Sequence, residues 1–402
     1  MPTESPLWWR MTKLFLTKRA EGLAILRFLF LRKVGIRYHK RFGRTLSPLP
    51  SNLTILPTLQ CNLNCIMCAQ NVHRKDRVAR PERYDPKREL PFEKWVSFLD
   101  QISASRPPLY VTGGEPLLYP KFRELIREIK KRKIYVHLAT NGTLLSKEAD
   151  FLVEAGVEGI TISIDGPPDV HDRIRGTTGI FSRAAEGAMA LVDARRRHKA
   201  LSPMLAFICT LTKSNYQYLE EAVECVINLG GDHLQVNHAT FYSPDLVAKH
   251  NAMFTPESLK AMGLCMELPS IHDGLHENDM EREDIRRLLE LMERVKRQAK
   301  GRIMLTFEPR LSADLVEPYY LDLAYPFEEE CNSLWGSLNV GPDGRVSPCL
   351  NFLVGNIMED TIADIWNGEM MQRLRALIAD GLLPGCQRCN RRTYCKSSRC
   401  MI

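Results

Sequence analysis

Between residues 51 and 245 the chain alternates apolar, β-branched runs with helix-period segments six times over, and few folds tolerate that pattern. The strand-like runs are 52–58, 108–112, 134–139, 159–165, 204–212 and 233–239. Helical patterns fill 92–103, 121–131, 147–154, 182–196 and 216–229. A repeat of about 32 residues is the length of a βαβ unit, and such units join right-handedly into a parallel sheet. The expected fold class is therefore α/β: a partial (β/α)6 barrel, followed by a small cysteine-rich C-terminal module and preceded by a helical N-terminal arm. In parallel sheets of this kind functional groups gather at the carboxyl ends of the strands. The loops that follow these strands hold the unusual residues of this chain.

Cysteine use narrows the chemistry. No apolar run reaches the length of a bilayer span, and no secretory signal follows the start, so the thiols are expected to stay reduced and to serve metal ligation. Nine of the twelve cysteines fall into two clusters. Cys61, Cys65 and Cys68 form a CxxxCxxC loop directly after the first strand. Three thiolates so spaced suit three irons of a four-iron cluster and leave the fourth iron open, whereas a zinc site needs a fourth protein ligand such as His73. The second cluster is Cys331, Cys349, Cys386, Cys389, Cys395 and Cys400, for which a zinc knuckle in the tail is the alternative to iron-sulfur ligation. Cys209, Cys225 and Cys265 stand apart and read as small buried apolar residues. His238, at the end of the sixth strand, reads as a satisfied structural histidine, with a role at the barrel mouth as the alternative. Asp172 and Arg173 are expected in a charged loop after the fourth strand.

Three further strand ends carry signatures: Gly113-Gly114-Glu115-Pro116 after the second, Thr140-Asn141-Gly142-Thr143 after the third and Ser163-Ile164-Asp165-Gly166 at the fourth. Together with the cysteine loop, in this order, they resemble the radical S-adenosylmethionine (radical SAM) enzymes. The resemblance implies a [4Fe-4S] cluster on Cys61, Cys65 and Cys68 that binds S-adenosyl-L-methionine and cleaves it reductively to a 5′-deoxyadenosyl radical. It places Gly113, Gly114 and Glu115 near the methionyl amine, with the glycines expected to let the backbone approach the cofactor. It assigns Ser163, Asn141 and Arg175 to the ribose or carboxylate. Met67 departs from the pattern, standing where the family often has an aromatic residue beside the adenine. Downstream, the second cysteine cluster and the helix containing Ile365-Trp366 resemble the SPASM extension of these enzymes, which holds auxiliary iron-sulfur clusters. Two clusters with four thiolates each need more ligands than the six present, so one or two auxiliary clusters are expected. The four residues between Cys395 and Cys400, against three in the family, and the absence of a further cysteine are the departures here.

Four domains are expected: a basic amphipathic arm over 1–50, the radical SAM barrel over 51–245, a helical bridge over 246–325 with a strand-like end at 303–307, and the auxiliary-cluster domain over 326–402. Inside the last, a hairpin is expected around Pro342-Asp343-Gly344 and one amphipathic helix over 361–379. Charge is uneven. Residues 1–50 hold eleven Lys or Arg against Glu4 and Glu21, a surplus of nine, so with a formal total of +7 everything after residue 50 sums to −2. No nucleic-acid partner is expected for so neutral a body. The arm, with seven aromatic side chains between Trp8 and Phe42, reads equally as a peripheral membrane contact and as a helix folded against the barrel.

The resemblance implies an enzyme of oxidoreductase or transferase type that abstracts hydrogen from an unactivated carbon, served by a reductase such as flavodoxin or ferredoxin. A cytoplasmic location is expected, at the inner face of a membrane if the arm binds there. Fifty N-terminal residues leave little room for a peptide-recruiting winged-helix domain, and Leu350 and Asn351, not an acidic residue, follow Cys349. The substrate expected on these grounds is a small metabolite or a lipid-linked molecule, with a peptide or protein as the alternative. A non-catalytic metal-binding scaffold is the reading from another class, and the intact GGEP beside the intact cysteine loop speaks against it.

Overall fold

The computed structural model describes Phe30 and residues 45–47, 50–68, 88–264, 279–327, 331–349 and 352–389. Seven strands succeed one another in parallel: β1 (Asn52–Ile55), β2 (Leu109–Val111), β3 (Val136–Thr140), β4 (Gly159–Ser163), β5 (Met204–Leu211), β6 (His233–His238) and β7 (Met304–Glu308). Between them run α1 (Phe92–Ile102), α2 (Phe122–Lys131), α3 (Leu145–Glu154), α4 (Pro168–Arg175), α5 (Ile180–Arg197), α6 (Leu219–Asn228), α7 (Pro244–Ala252), α8 (Pro256–Met262) and α9 (Arg282–Ala299), with α10 (Ala313–Leu321) after β7. The C-terminal module adds β8 (Ser337–Val340), β9 (Arg345–Ser347), β10 (Gly355–Asn356), α11 (Ile362–Asn367) and α12 (Glu369–Asp380).

All ten strands form one open sheet in the order β10-β9-β8-β1-β2-β3-β4-β5-β6-β7, so the α/β partial barrel is as expected and its two ends do not meet. Both ends extend beyond six units. At one, β8 pairs in parallel with β1, Leu53 opposite Leu338, and leads into the β8-β9-β10 antiparallel ladder. At the other, the segment expected as a bridge supplies α9 and β7, and β7 pairs in parallel with β6. The α9 sequence explains its place. Glu281 and Asp284 close a capping box, and the buried Ile285, Leu288, Met292, Val295 and Ala299 recur at three- and four-residue spacing, giving one apolar face.

The strands alternate instead of reading as continuous apolar runs, because only one face of the sheet is covered by helices. Leu205, Phe207, Cys209 and Leu211 on β5, and Leu234 and Val236 on β6, are buried among the helices. The opposite face, toward the barrel interior, carries Tyr110, His137, Thr161, Ser163, Thr210, Gln235 and Asn237. These polar groups are partly satisfied within the barrel: His137 Nε2 meets Thr161 Oγ1 at 2.7 Å and His233 Nε2 meets Thr306 Oγ1 at 2.8 Å.

Two local expectations are corrected. Residues 168–175 form α4, not a charged loop. Pro168 opens the helix and Gly176, left-handed at φ 73°, closes it, which buries His171 and Ile174. The single helix expected over 361–379 is two, α11 and α12, broken at the extended Gly368. His238 lies on the helix-facing side of β6 beside Phe307, Tyr319 and Tyr320, its Nδ1 2.7 Å from the Tyr320 hydroxyl and its buried Nε2 without a hydrogen-bond partner among the described residues, so it is packed in the core but only half satisfied. The N-terminal arm apart from Phe30 and residues 45–47 and 50, and Cys265, Leu350, Asn351, Cys395 and Cys400, lie outside the described residues.

Candidate active site

At the carboxyl end of the sheet the loop leaving β1 is held by backbone bonds on two sides. Leu56 N donates to Val340 O on β8, and the chain leaving β2 runs alongside residues 58–60, Gly114 N donating to Thr58 O at 3.0 Å and Glu115 N to Gln60 O at 2.7 Å. This pairing accounts for the two glycines. Gly113 has φ 140°, and a Cβ there stands 2.2 Å from Thr58 O; a Cβ on Gly114 stands 2.1 Å from Gln60 O. The chain's own backbone, directly ahead of Cys61, therefore needs the space at both glycines.

Glu115 is fully buried. Its carboxylate accepts from Leu117 N, Thr140 Oγ1 at 2.8 Å and Asn141 N at 2.7 Å, fastening the β2 exit to the β3 exit. Burial pushes this carboxyl up to about 7, against the three donors, which favour the ionised form. With the side chain so engaged, what remains for a cofactor is the backbone around it. Asn141 continues the lattice, donating from Nδ2 to Asn62 Oδ1 at 2.9 Å and accepting from Thr143 N and Oγ1, while Asn62 Nδ2 donates back to Thr143 Oγ1. Asn62 sits inside the cysteine loop and was not singled out in the sequence; nothing in its spacing marks it. Ser163, half-buried, ends β4 on the interior face opposite Ile208.

The cysteine loop rests on α4 and the start of α5. Ile66 N donates to Ile174 O, and Gly176 lies so close to Asn64 that a Cβ would stand 2.8 Å from its carbonyl oxygen. Leu63, Cys65 and Ile180 are buried together, with Cys61, Met67 and Cys68 half-buried against them, so Met67 fills apolar space. Arg175 reaches both sides: Nε and Nη2 bind Asp165 Oδ2 at 2.7 and 2.6 Å, and Nη1 donates to Cys65 Sγ at 3.6 Å. Burial pushes the Cys65 thiol up, and the nearby guanidinium pulls it back. Among the described residues no three His, Cys, Asp or Glu side chains converge to hold a metal ion. The donor set nevertheless fits an iron-sulfur cluster with one open iron. It offers three thiols on one loop, an apolar bed beneath them and a cationic donor at one sulfur.

Of the second cysteine group, Cys331 precedes the turn leading into β8, Cys349 follows β9, and Cys386 lies inside a short 3-10 turn, Pro384–Arg388, which Cys389 directly follows. Ser333 Oγ donates to Pro348 O and so joins the first two segments. The turn is fixed by Arg388, which is buried and donates to the carbonyls of Phe241, Asp322, Tyr325 and Tyr319, its guanidinium lying over the Tyr319 and Phe327 rings. These contacts dock the Cys386–Cys389 turn on the chain leaving β6 and β7.

Comparison with known proteins agrees with this geometry. A family model described as the radical SAM superfamily matches residues 55–226, and one described as an iron-sulfur cluster-binding domain, SPASM, matches 331–390. The chain is 26% identical to a tungsten-containing aldehyde ferredoxin oxidoreductase cofactor-modifying protein of Pyrococcus furiosus, over 84% of this chain and 86% of that one. It is 27% identical to a PqqA peptide cyclase of Ruegeria pomeroyi, over 86% of this chain and 80% of that one. It is 24% identical to the sporulation killing factor maturation protein SkfB of Bacillus subtilis, over 82% and 68%. The crystal structure of Streptococcus suis SuiB superposes with a TM-score of 0.56 at 17% identity, covering 81% of this chain and 67% of that one, a likeness of fold. An open parallel barrel with a cysteine loop after its first strand and a second cysteine module at its edge defines a class, the iron-sulfur enzymes that use S-adenosylmethionine. Within it, the chain belongs to the radical SAM superfamily and carries a C-terminal SPASM module. Membership implies a [4Fe-4S] cluster, S-adenosylmethionine and auxiliary iron-sulfur clusters. No helix among the described residues is long and apolar enough to cross a membrane.

Proposed function

We propose that this enzyme modifies a peptide or protein substrate, with Cys61, Cys65 and Cys68 holding the cluster that binds S-adenosylmethionine and the downstream cysteines holding auxiliary iron-sulfur. The observation that carries the reading is the likeness to the PqqA peptide cyclase, which runs through barrel and SPASM module alike over 86% of the chain. It weighs more than the two sequence features on which the small-metabolite or lipid-linked expectation rested. The likeness to the cofactor-modifying protein of P. furiosus favours a second reading, a small-molecule substrate.

When bound, the cluster and S-adenosylmethionine supply a carbon-centred radical. The chain's own residues do the rest. Gly113 and Gly114 bring the β2 exit against residues 58–60, and Glu115, Asn141, Asn62 and Thr143 lock three strand ends into one rigid rim, so that the cysteine loop holds its position without reorganising. The interior face is lined with hydroxyl and amide groups, Thr161 paired with His137, Gln235 paired with Asn237, and Thr210 among them. Anaerobically reconstituted protein, incubated with S-adenosylmethionine, dithionite and either a mixed peptide library or a metabolite extract, tests the choice. Formation of 5′-deoxyadenosine with a mass-shifted peptide is expected; turnover with the metabolite extract alone rejects the peptide reading.

A further inference from the structure

Arg175 stands between two groups of opposite demand. Asp165 is 1% exposed at its side chain and held from several directions: Oδ1 accepts from Thr210 N, Oδ2 takes the Nε and Nη2 of Arg175, its backbone N–H donates to His171 Nδ1, and its carbonyl accepts from Asn215 Nδ2. A carboxylate so fixed orients the guanidinium as a rigid fork. The remaining corner of the fork, Nη1, meets the sulfur of Cys65, the most buried of the three cysteines on the loop. Because Asp165 sits ten residues before Arg175, at the start of the turn into α4, the α4 helix itself sets the span between carboxylate and sulfur.

We propose that Arg175 is a positioning residue that sets the electron affinity of the iron-sulfur centre on Cys61, Cys65 and Cys68, through its donation to the Cys65 sulfur. This rests on the assignment of those cysteines to the cluster and is independent of the substrate. Hydrogen bonds to cluster sulfurs are a principal determinant of reduction potential, because a donor drains charge from the thiolate and favours the reduced state. In a site of low dielectric the effect of one charged donor is enlarged. The resemblance assigned Arg175 instead to the ribose or carboxylate of S-adenosylmethionine. The two roles separate cleanly, since a contact to the cofactor acts only when the cofactor is present.

The test is a redox titration followed by electron paramagnetic resonance, on full-length reconstituted protein without S-adenosylmethionine, for the parent chain, Arg175→Gln and Arg175→Lys, with iron and sulfide counted in each. The expected result is a midpoint for the barrel cluster that moves to more negative potential in Arg175→Gln, with Arg175→Lys between it and the parent. Uptake of that cluster by Arg175→Lys but not by Arg175→Gln also upholds the proposal. Unchanged midpoints in both variants, with a difference arising only once S-adenosylmethionine is added, overturn it in favour of cofactor contact. Loss of the cluster from both overturns it in favour of a purely structural ion pair. If the parent chain binds no cluster on these cysteines, the assignment beneath the proposal fails instead.

Discussion

Single residues at this site are constrained by what surrounds them more than by what they bind. A methyl group at Gly114 meets Gln60 O at 2.1 Å and Leu59 O at 2.5 Å, both backbone atoms that cannot rotate away. Gly114→Ala is therefore expected to cost about 1–3 kcal/mol, the range for overpacking, measured by urea unfolding of the reconstituted protein. Titratable groups give a second expectation. Burial pushes His137, His171, His233, His238 and His250 down to about 4, so each is neutral in the folded state while its unfolded counterpart takes a proton near 6.5. Their contribution is present above pH 6.5 and is lost as pH falls toward 4. Glu115, raised to about 7, works in the opposite sense: its contribution is full below 4.5 and fades as pH rises to 7. Five imidazoles outweigh one carboxyl, so stability should rise from pH 4 to 6.5. In Glu115→Gln the rise should be steeper, although the parent is more stable overall because the amide cannot accept from three donors. A flat profile across that range contradicts the account.

At the scale of elements, the C-terminal module is bound to the barrel through named clamps. Arg388 gives its donors to four backbone carbonyls on the chain leaving β6 and on and beyond α10, and β8 pairs with β1 along four residues. Arg388→Met takes this donor from the carbonyls of Phe241 and Tyr319, whose bonds to it are buried, and is expected to lower stability by about 3 kcal/mol and to open the Cys386–Cys389 turn to protease ahead of the barrel. Equal protease resistance in the two proteins rejects the clamp. The elements also show where sequence reading succeeds. Strand and helix periods marked β1 to β6 and α9 because each has one clear apolar face. They missed α4, whose polar sequence is folded by Pro168, Gly176 and the burial of His171, all tertiary or capping effects that periodicity does not register. The break at Gly368 escaped for a related reason: the apolar pattern runs on through Ile365 and Met371 while the backbone does not.

For the whole molecule, the cysteine spacings and strand-end motifs carried most of the chemistry, since a loop that ligates a cluster must keep its sulfurs in fixed order along the chain. Long-range partners were not legible. Asn62 and Arg388 act through contacts between segments distant in sequence, and no local pattern announces them. The same topology assembles the barrel loop, its Arg175–Asp165 support and the edge module into one sheet, so the account stands on the claim that Cys61, Cys65 and Cys68 hold a cluster that acts on S-adenosylmethionine. The direct measurement is 5′-deoxyadenosine formed under anaerobic conditions with dithionite, compared between the parent protein and the variant Cys61→Ala, Cys65→Ala, Cys68→Ala. The account predicts formation by the parent and none by the triple variant, which should still retain auxiliary iron and sulfide; undiminished formation by the triple variant would contradict it.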